Sequence, residues 1–160
     1  MVKPILLLGN DALYQVSAEV LPGELPSLRG TVEDLHDTLM DFRARYGRGR
    51  AIAAPQIGVA KRIIYLNIDA PTIIINPSLH FPGDELIEVM DDCMSFPELI
   101  VRVMRHRQCM LRYKNMDWQS CELLLEDDMA ELIQHEYDHL DGILATMRAI
   151  DDKSLFACTP

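Results

Sequence analysis

Residues 134–142 read QHEYDHLDG, from Gln134 to Gly142. His135 and His139 are four positions apart. On an α-helix they share one face, and both rings can reach a single divalent ion. Glu136 is turned about 100° from His135 around the helix axis, where it can face a water on that ion. The HExxH pattern is a known zinc-hydrolase arrangement: two neutral imidazoles bind a borderline cation, the ion lowers the pKa of the water toward ~7, and the glutamate takes its proton. Reading this stretch as a helix also organises the chain before it. The helix runs from about Asp127 to about Leu140, with Met129, Leu132, Ile133 and Leu140 as its apolar face. Asp127 and Asp128 suit the dipole in the first turn, and Gly142 stands where a left-handed stop is expected.

Upstream, RIIYLNI (62–68), TIIINP (72–77) and SCELLLE (120–126) are rich in strand formers and bounded by turn residues. DELIEVMDDCMSF (84–96) is extended in places, LIVRVMRHRQCMLRY (99–113) makes one or two strands, and KNMDW (114–118) is a turn. A first helix is expected after Thr31, which can act as its N-cap. Val32, Leu35, Leu39 and Phe42 recur at helical spacing and Gly47 is its stop, while VLPGELPSLRG (20–30) reads as a loop. Helix, several strands, helix predicts one α+β domain over residues 1–160, with mixed or antiparallel sheets around the HExxH helix.

The 160 residues are 49% hydrophobic and 25% charged, ordinary for a globular protein. A formal net charge of -10 argues against nucleic acid as a partner, because phosphate binding needs clustered Lys and Arg. The basic runs Arg43–Arg50 and Arg102–Arg112 are short and read as solvated faces. Four cysteines without a CxxC pair point to free thiols in a reducing compartment. The N-terminal apolar run is interrupted by Gly9 and Asn10, and no stretch approaches a membrane span, so a cytoplasmic location and no membrane partner are expected.

Two imidazoles need a third ligand. About twenty residues follow His139; Asp141, Asp151 and Asp152 lie among them in no recognisable pattern, and the position six after His139 is Ala145. An upstream ligand is therefore expected. Cys93 in DDCMSFPEL, between expected strands and before a proline, is the strongest soft donor; its alternative reading is a buried core thiol.

Three ordered motifs together resemble the peptide deformylase family. AIAAPQIG (51–58) is similar to the family's Gly-x-Gly-Leu-Ala-Ala-x-Gln, DDCMS (91–95) to its Glu-Gly-Cys-Leu-Ser, and QHEYDHLDG to its Gln-His-Glu-x-Asp-His-Leu-x-Gly. The likeness extends to NPSL (76–79) and ILLLGNDAL near the N-terminus. It implies removal of the formyl group from the initiating methionine of new chains, with an N-formylmethionyl peptide as partner, at the ribosome, by a monomer or weak oligomer. Cys93, His135 and His139 would hold one divalent ion, commonly Fe(II), with Zn, Ni or Co able to replace it. Glu136 would act as general base and then acid. Gln56 and the Met94 backbone N–H would stabilise the negative oxygen of the tetrahedral intermediate. Gly49, Arg50, Ala51, Ile52, Asp92 and Leu132 would line the substrate cleft, and Arg105 would support the cysteine loop.

The match departs from the family where substrate would lie. Ala51 replaces a glycine, Arg50 a small or apolar residue, and Asp91–Asp92 replace Glu-Gly. Asp128 and Glu131, seven and four residues before His135, stand on the face leading to the site, where the family helps line its methionine pocket with mostly apolar residues. Arg50 facing either carboxylate would make that cleft charged, and narrower or closed. The alternatives to a deformylase proper are a paralog with another acyl or peptide substrate, and a relative that binds metal without turnover.

Overall fold

The computed structural model describes residues 1–159, built from two helices, eight strands and short 3₁₀ turns. Helix α1 spans Leu25–Tyr46 and helix α2 spans Asp127–Leu140. Strands β1 (Ala51–Ala53), β2 (Ile63–Asn67), β3 (Pro71–His80), β6 (Gln108–Lys114) and β7 (Ser120–Glu126) form a five-stranded sheet in the order β1-β2-β3-β6-β7. Strands β4 (Leu86–Asp92), β5 (Leu99–His106) and β8 (Leu155–Ala157) form a second sheet. Every pairing between these strands is antiparallel. The expected α+β class therefore holds, with α2 packed against β1, β5 and β7.

Alternation along β1 and β2 distributes the core. Ile52, Ile63 and Tyr65 join Leu35, Leu39 and Phe42 of α1, while Ala51, Ala53, Ile64 and Leu66 join Ala130, Leu132, Ile133 and Leu140 of α2. Successive residues of a strand point to opposite faces, so a strand covered by a helix on each side reads as an unbroken apolar run. That is why RIIYLNI carries no period of two.

Helix α1 starts six residues before the expected Thr31. Pro26 falls in its first turn, where a missing N–H costs nothing, and the exposed Gly30 is carried inside the helix. Leu28 is buried and anchors this extra length. The stop at Gly47 is as expected, with φ +69° and its N–H bonded to the Arg43 carbonyl at 2.8 Å. Strands β1 and β8 are three residues each and were not anticipated. Helix α2 follows β7 with no loop. Its first residue, Asp127, turns the chain at φ +51° and is tied by Arg107, whose carbonyl accepts from Asp127 N at 2.8 Å and whose Nε donates to the Asp127 carboxylate at 2.9 Å. No described helix is long and apolar enough to cross a membrane.

Candidate metal and active site

Helix α2 lies across the inner face of the large sheet, and Gln134 fixes how far it can slide. Its amide bonds both backbone groups of His106 on β5, accepting from N at 2.9 Å and donating to O at 2.8 Å. His135 and His139 then point at the turn after β4, which carries Cys93. One ligand atom from each of Cys93, His135 and His139 lies within 4.8 Å of the others, and all three residues are buried. Cys93 Sγ is 3.3 Å from His139 Nε2. A tetrahedral ion with bonds of about 2.3 Å to sulfur and 2.0–2.1 Å to nitrogen needs its ligand atoms about 3.5 Å apart, so the cluster fits one ion. The donor set, one thiolate and two imidazoles, suits Fe(II) or Zn.

The surroundings favour a cation. Burial opposes charge on His135, yet the neighbouring Asp91 carboxylate and Cys93 sulfur outweigh it and raise the ring's pKa. His139 is held low by burial and by His135 beside it. Asp91 Oδ1 approaches His135 Nδ1 at 2.9 Å. Despite burial, Asp91 stays ionised more readily than usual because His135 and Arg105 face it. Arg105, 3% exposed, reaches Asp91 at 2.8 Å and Asp138 at 2.6 Å, so it ties the end of β4 to α2. Asp138 also takes Arg148, at 2.6 and 2.9 Å. The expected support of the cysteine loop by Arg105 thus runs through two carboxylates. The sequence reading gave no role to Asp138, though it stands three residues after His135 and so on the same side of α2.

Gln56 sits in the 3₁₀ turn Ala54–Ile57. Its Oε1 accepts from Ala53 N at 2.9 Å, and its Nε2 donates to Ser95 Oγ at 3.1 Å and lies 3.6 Å from Cys93 Sγ. The amide N–H is thereby aimed at the cluster. Ser95, absent from the sequence expectations, also approaches the sulfur with its backbone N–H at 3.4 Å. Glu136 is buried, with Oε2 lacking a hydrogen-bond partner among the described residues. Burial, with Asp91 and Glu131 adding to it, pushes its carboxyl up to about 7.

A cavity of about 360 Å³ opens onto these groups. Of the expected residues, Gly49, Arg50, Ala51, Gln56, Asp92, Cys93, Met94, Leu132, His135 and Glu136 line it. His139 and Arg105 are buried and do not line it. Ile52 is not on the wall: it is fully buried against α1, because alternation turns it away from its neighbours Ala51 and Ala53. Phe42 and Arg48 line the cavity and were missed. Arg50 meets both carboxylates named for it, Asp128 in a close ion pair and Glu131 at 3.4 Å. The cleft is charged but open, not closed.

A catalytic cleft of this kind, with a Cys/His/His cluster under a buried HExxH glutamate on two antiparallel sheets, belongs to a metallo-amidohydrolase. The polypeptide deformylase family model matches residues 2–154, and the chain belongs to that family. It is 35% identical to the peptide deformylase of Pseudothermotoga lettingae over 90% of this chain and 81% of that one. It is also 35% identical to peptide deformylase 2 of Ralstonia nicotianae, over 94% and 89%. Its fold superimposes with a TM-score of 0.84 on a Met-Ala-Ser-bound class I type b peptide deformylase from Acinetobacter baumannii, 26% identical over 92% of this chain and 98% of that one.

Proposed function

We propose that this protein is a working deformylase, releasing formate from the N-terminal formylmethionine of nascent chains. The observation that carries the reading is the placing of Cys93, His135 and His139 in one buried cluster with Glu136 and Gln56 beside the same cavity. Cys93, His135 and His139 would hold one ion, which would supply Lewis-acid chemistry for activating a water and a formyl group. Glu136 takes the proton of the attacking water. As the formyl C–N bond breaks, it hands that proton to the departing amine, leaving formate and a free N-terminus. Burial raises the proton affinity of the Glu136 carboxyl, the direction a group that must take up and pass on a proton requires. The Gln56 amide and the Met94 backbone N–H donate to the oxygen that becomes negative. Gly49–Ala51 and Asp92 border the path of the peptide. The Acinetobacter relative is bound to Met-Ala-Ser, which supports a peptide as the ligand here.

We assign Fe(II) as the native ion, with Zn, Ni or Co accepted by the same donors. The free thiols support a cytoplasmic setting. We further assign action near the ribosome, a monomer or weak oligomer, and one domain, the last supported by both helices covering the same sheet. The test is formate release from formyl-Met-Ala-Ser by anaerobically purified protein with its metal content measured. One ion per chain with formate released is expected, and Glu136→Ala should keep the ion and lose the activity. Loaded protein that releases no formate at any peptide concentration would overturn the reading.

A further inference from the structure

The rim of the cleft between α1 and β1 has little restraint of its own. Gly47 and Gly49 both hold positive φ, at +69° and +122°, and glycine backbone moves easily into and out of such conformations. Arg43, in the last turn of α1, supplies the restraint. Its Nε and Nη2 donate to the Gly49 carbonyl at 3.0 and 2.8 Å, and Nη2 also donates to the Asn67 carbonyl at the end of β2. A planar fork of donors fixes the direction of an acceptor better than a point charge on a flexible stem. Asn67 continues the antiparallel register of Ala51 with Leu66, so it stands opposite Arg50, and its N–H donates to the Arg50 carbonyl at 2.8 Å. The return bond, from the Arg50 N–H to the Asn67 carbonyl, is not made; Arg43 holds that carbonyl instead. The Gly49–Arg50 peptide is trans, so its carbonyl and N–H point opposite ways. With the carbonyl drawn to Arg43, the Arg50 N–H is turned away from that guanidinium and has no hydrogen-bond partner among the described residues. Gly49, Arg50 and Ala51 all line the cavity.

We propose that Arg43 is a positioning residue for the peptide: by holding the Gly49 and Asn67 carbonyls it keeps the Arg50 N–H free for a main-chain carbonyl of the chain entering the cleft. The inference rests on the deformylase reading for the reaction, but not for the binding of a peptide. Arg43 does not line the cavity and acts through the rim. Without it, the two glycines let the peptide group between Gly49 and Arg50 rotate, and the Arg50 N–H can close its ladder bond on the freed Asn67 carbonyl. Only the molecules that still hold the open rim then bind, and affinity falls by that fraction. Glu136 and Gln56 lie outside this rim, so a peptide once seated reacts as before. The loss therefore falls on KM rather than on kcat.

The experiment measures kcat and KM for formyl-Met-Ala-Ser in the metal-loaded wild type, Arg43→Met and Arg43→Lys. In parallel, calorimetry measures binding of Met-Ala-Ser and of acetohydroxamate, a chelator too small to reach the rim. Arg43→Met should raise KM and the Kd of Met-Ala-Ser together, by about fivefold or more, with kcat within about twofold of the wild type and acetohydroxamate bound equally. Arg43→Lys, whose ammonium serves one carbonyl at a time, should fall between the two; if Arg43→Met does not fold, a KM and Kd raised in Arg43→Lys at unchanged kcat support the inference by themselves. If the wild type releases no formate but binds Met-Ala-Ser, and Arg43→Met weakens that binding while acetohydroxamate still binds, the deformylase reading fails and the role of Arg43 stands. Unchanged KM and Kd in the folded variants overturn the inference. So does a loss confined to kcat, a matching loss of acetohydroxamate binding, or a wild type that neither binds nor turns over the peptide.

Discussion

Glu136 is a poor choice for stability, and in the proposed mechanism it and Gln56 are the groups that act on substrate. A carboxylate oxygen buried without a partner raises the energy of the fold, whereas the Gln56 amide is held by Ala53 N and Ser95 Oγ and still lies 3.6 Å from Cys93 Sγ. Replacing Gln56 by Ala should lower kcat by about 10²–10³ with a smaller change in KM, since its donor is needed most when the oxygen is negative. The assay is steady-state formate release. Cys93→Ser should cut the bound ion well below one per chain, as read by elemental analysis, because an alcohol is a far harder and weaker ligand than a thiolate. Arg105 belongs to another category. It is 3% exposed between Asp91 and Asp138, so Arg105→Met removes the cation that these two buried carboxylates share and leaves Asp91 to His135 and Asp138 to Arg148. Leaving a buried charge wholly unpaired costs about 3–5 kcal/mol; with His135 and Arg148 still in place, urea denaturation of this variant should show a clear loss smaller than that.

At the scale of elements, α2 is positioned by its ends as much as by its apolar face. Gln134 locks its middle to β5, and Gly142 ends it against the N-terminal segment. Gly142 has φ +72°, and a Cβ there would meet the Tyr14 carbonyl oxygen at 2.4 Å. Gly142→Ala should therefore destabilise by on the order of 2 kcal/mol or more, from the strained backbone and the backbone clash together, visible as a lower thermal midpoint. The limits of α2 were legible because periodicity, first-turn acids and a stop glycine all agreed. The start of α1 was not: Pro26 and Gly30 are loop signals locally, and only the burial of Leu28 against the rest of the molecule makes helix the better choice there. Strand β8 was equally invisible, since its three residues are exposed and are recruited by pairing with β5.

For the whole molecule, two ledgers connect stability to solution conditions. Cys109 on β6 lies fully buried under α2, and burial pushes its thiol up to about 11 from an ordinary value of 9. The folded state then holds a proton that the unfolded chain gives up first. The stability this contributes is complete below about pH 9 and is lost as the pH rises toward 11. Urea midpoints at pH 8 and 10.5 should fall further in the wild type than in Cys109→Ala, which lacks the titrating group. The second ledger is the ion. Its three proposed ligands come from the turn after β4 and from α2, so binding would join the small sheet to the helix that packs on the large one. Chelation should abolish formate release and lower the thermal midpoint, and restoring the ion should recover both.

The HExxH face, the run of strands and the family were carried by the sequence alone, because helical spacing, turn residues and motif order are properties of neighbours along the chain. That Cys93 meets His139, that Arg105 stands between Asp91 and Asp138, and that Arg50 meets Glu131 depend on groups tens of residues apart, and only the tertiary structure brings them together. Ile52 shows the same division in a single residue. Its motif placed it at the cleft, but the pleat of β1 between two helices turned it into the core. Local pattern sets which elements form; the packing of their faces decides which side chains reach the reacting atoms.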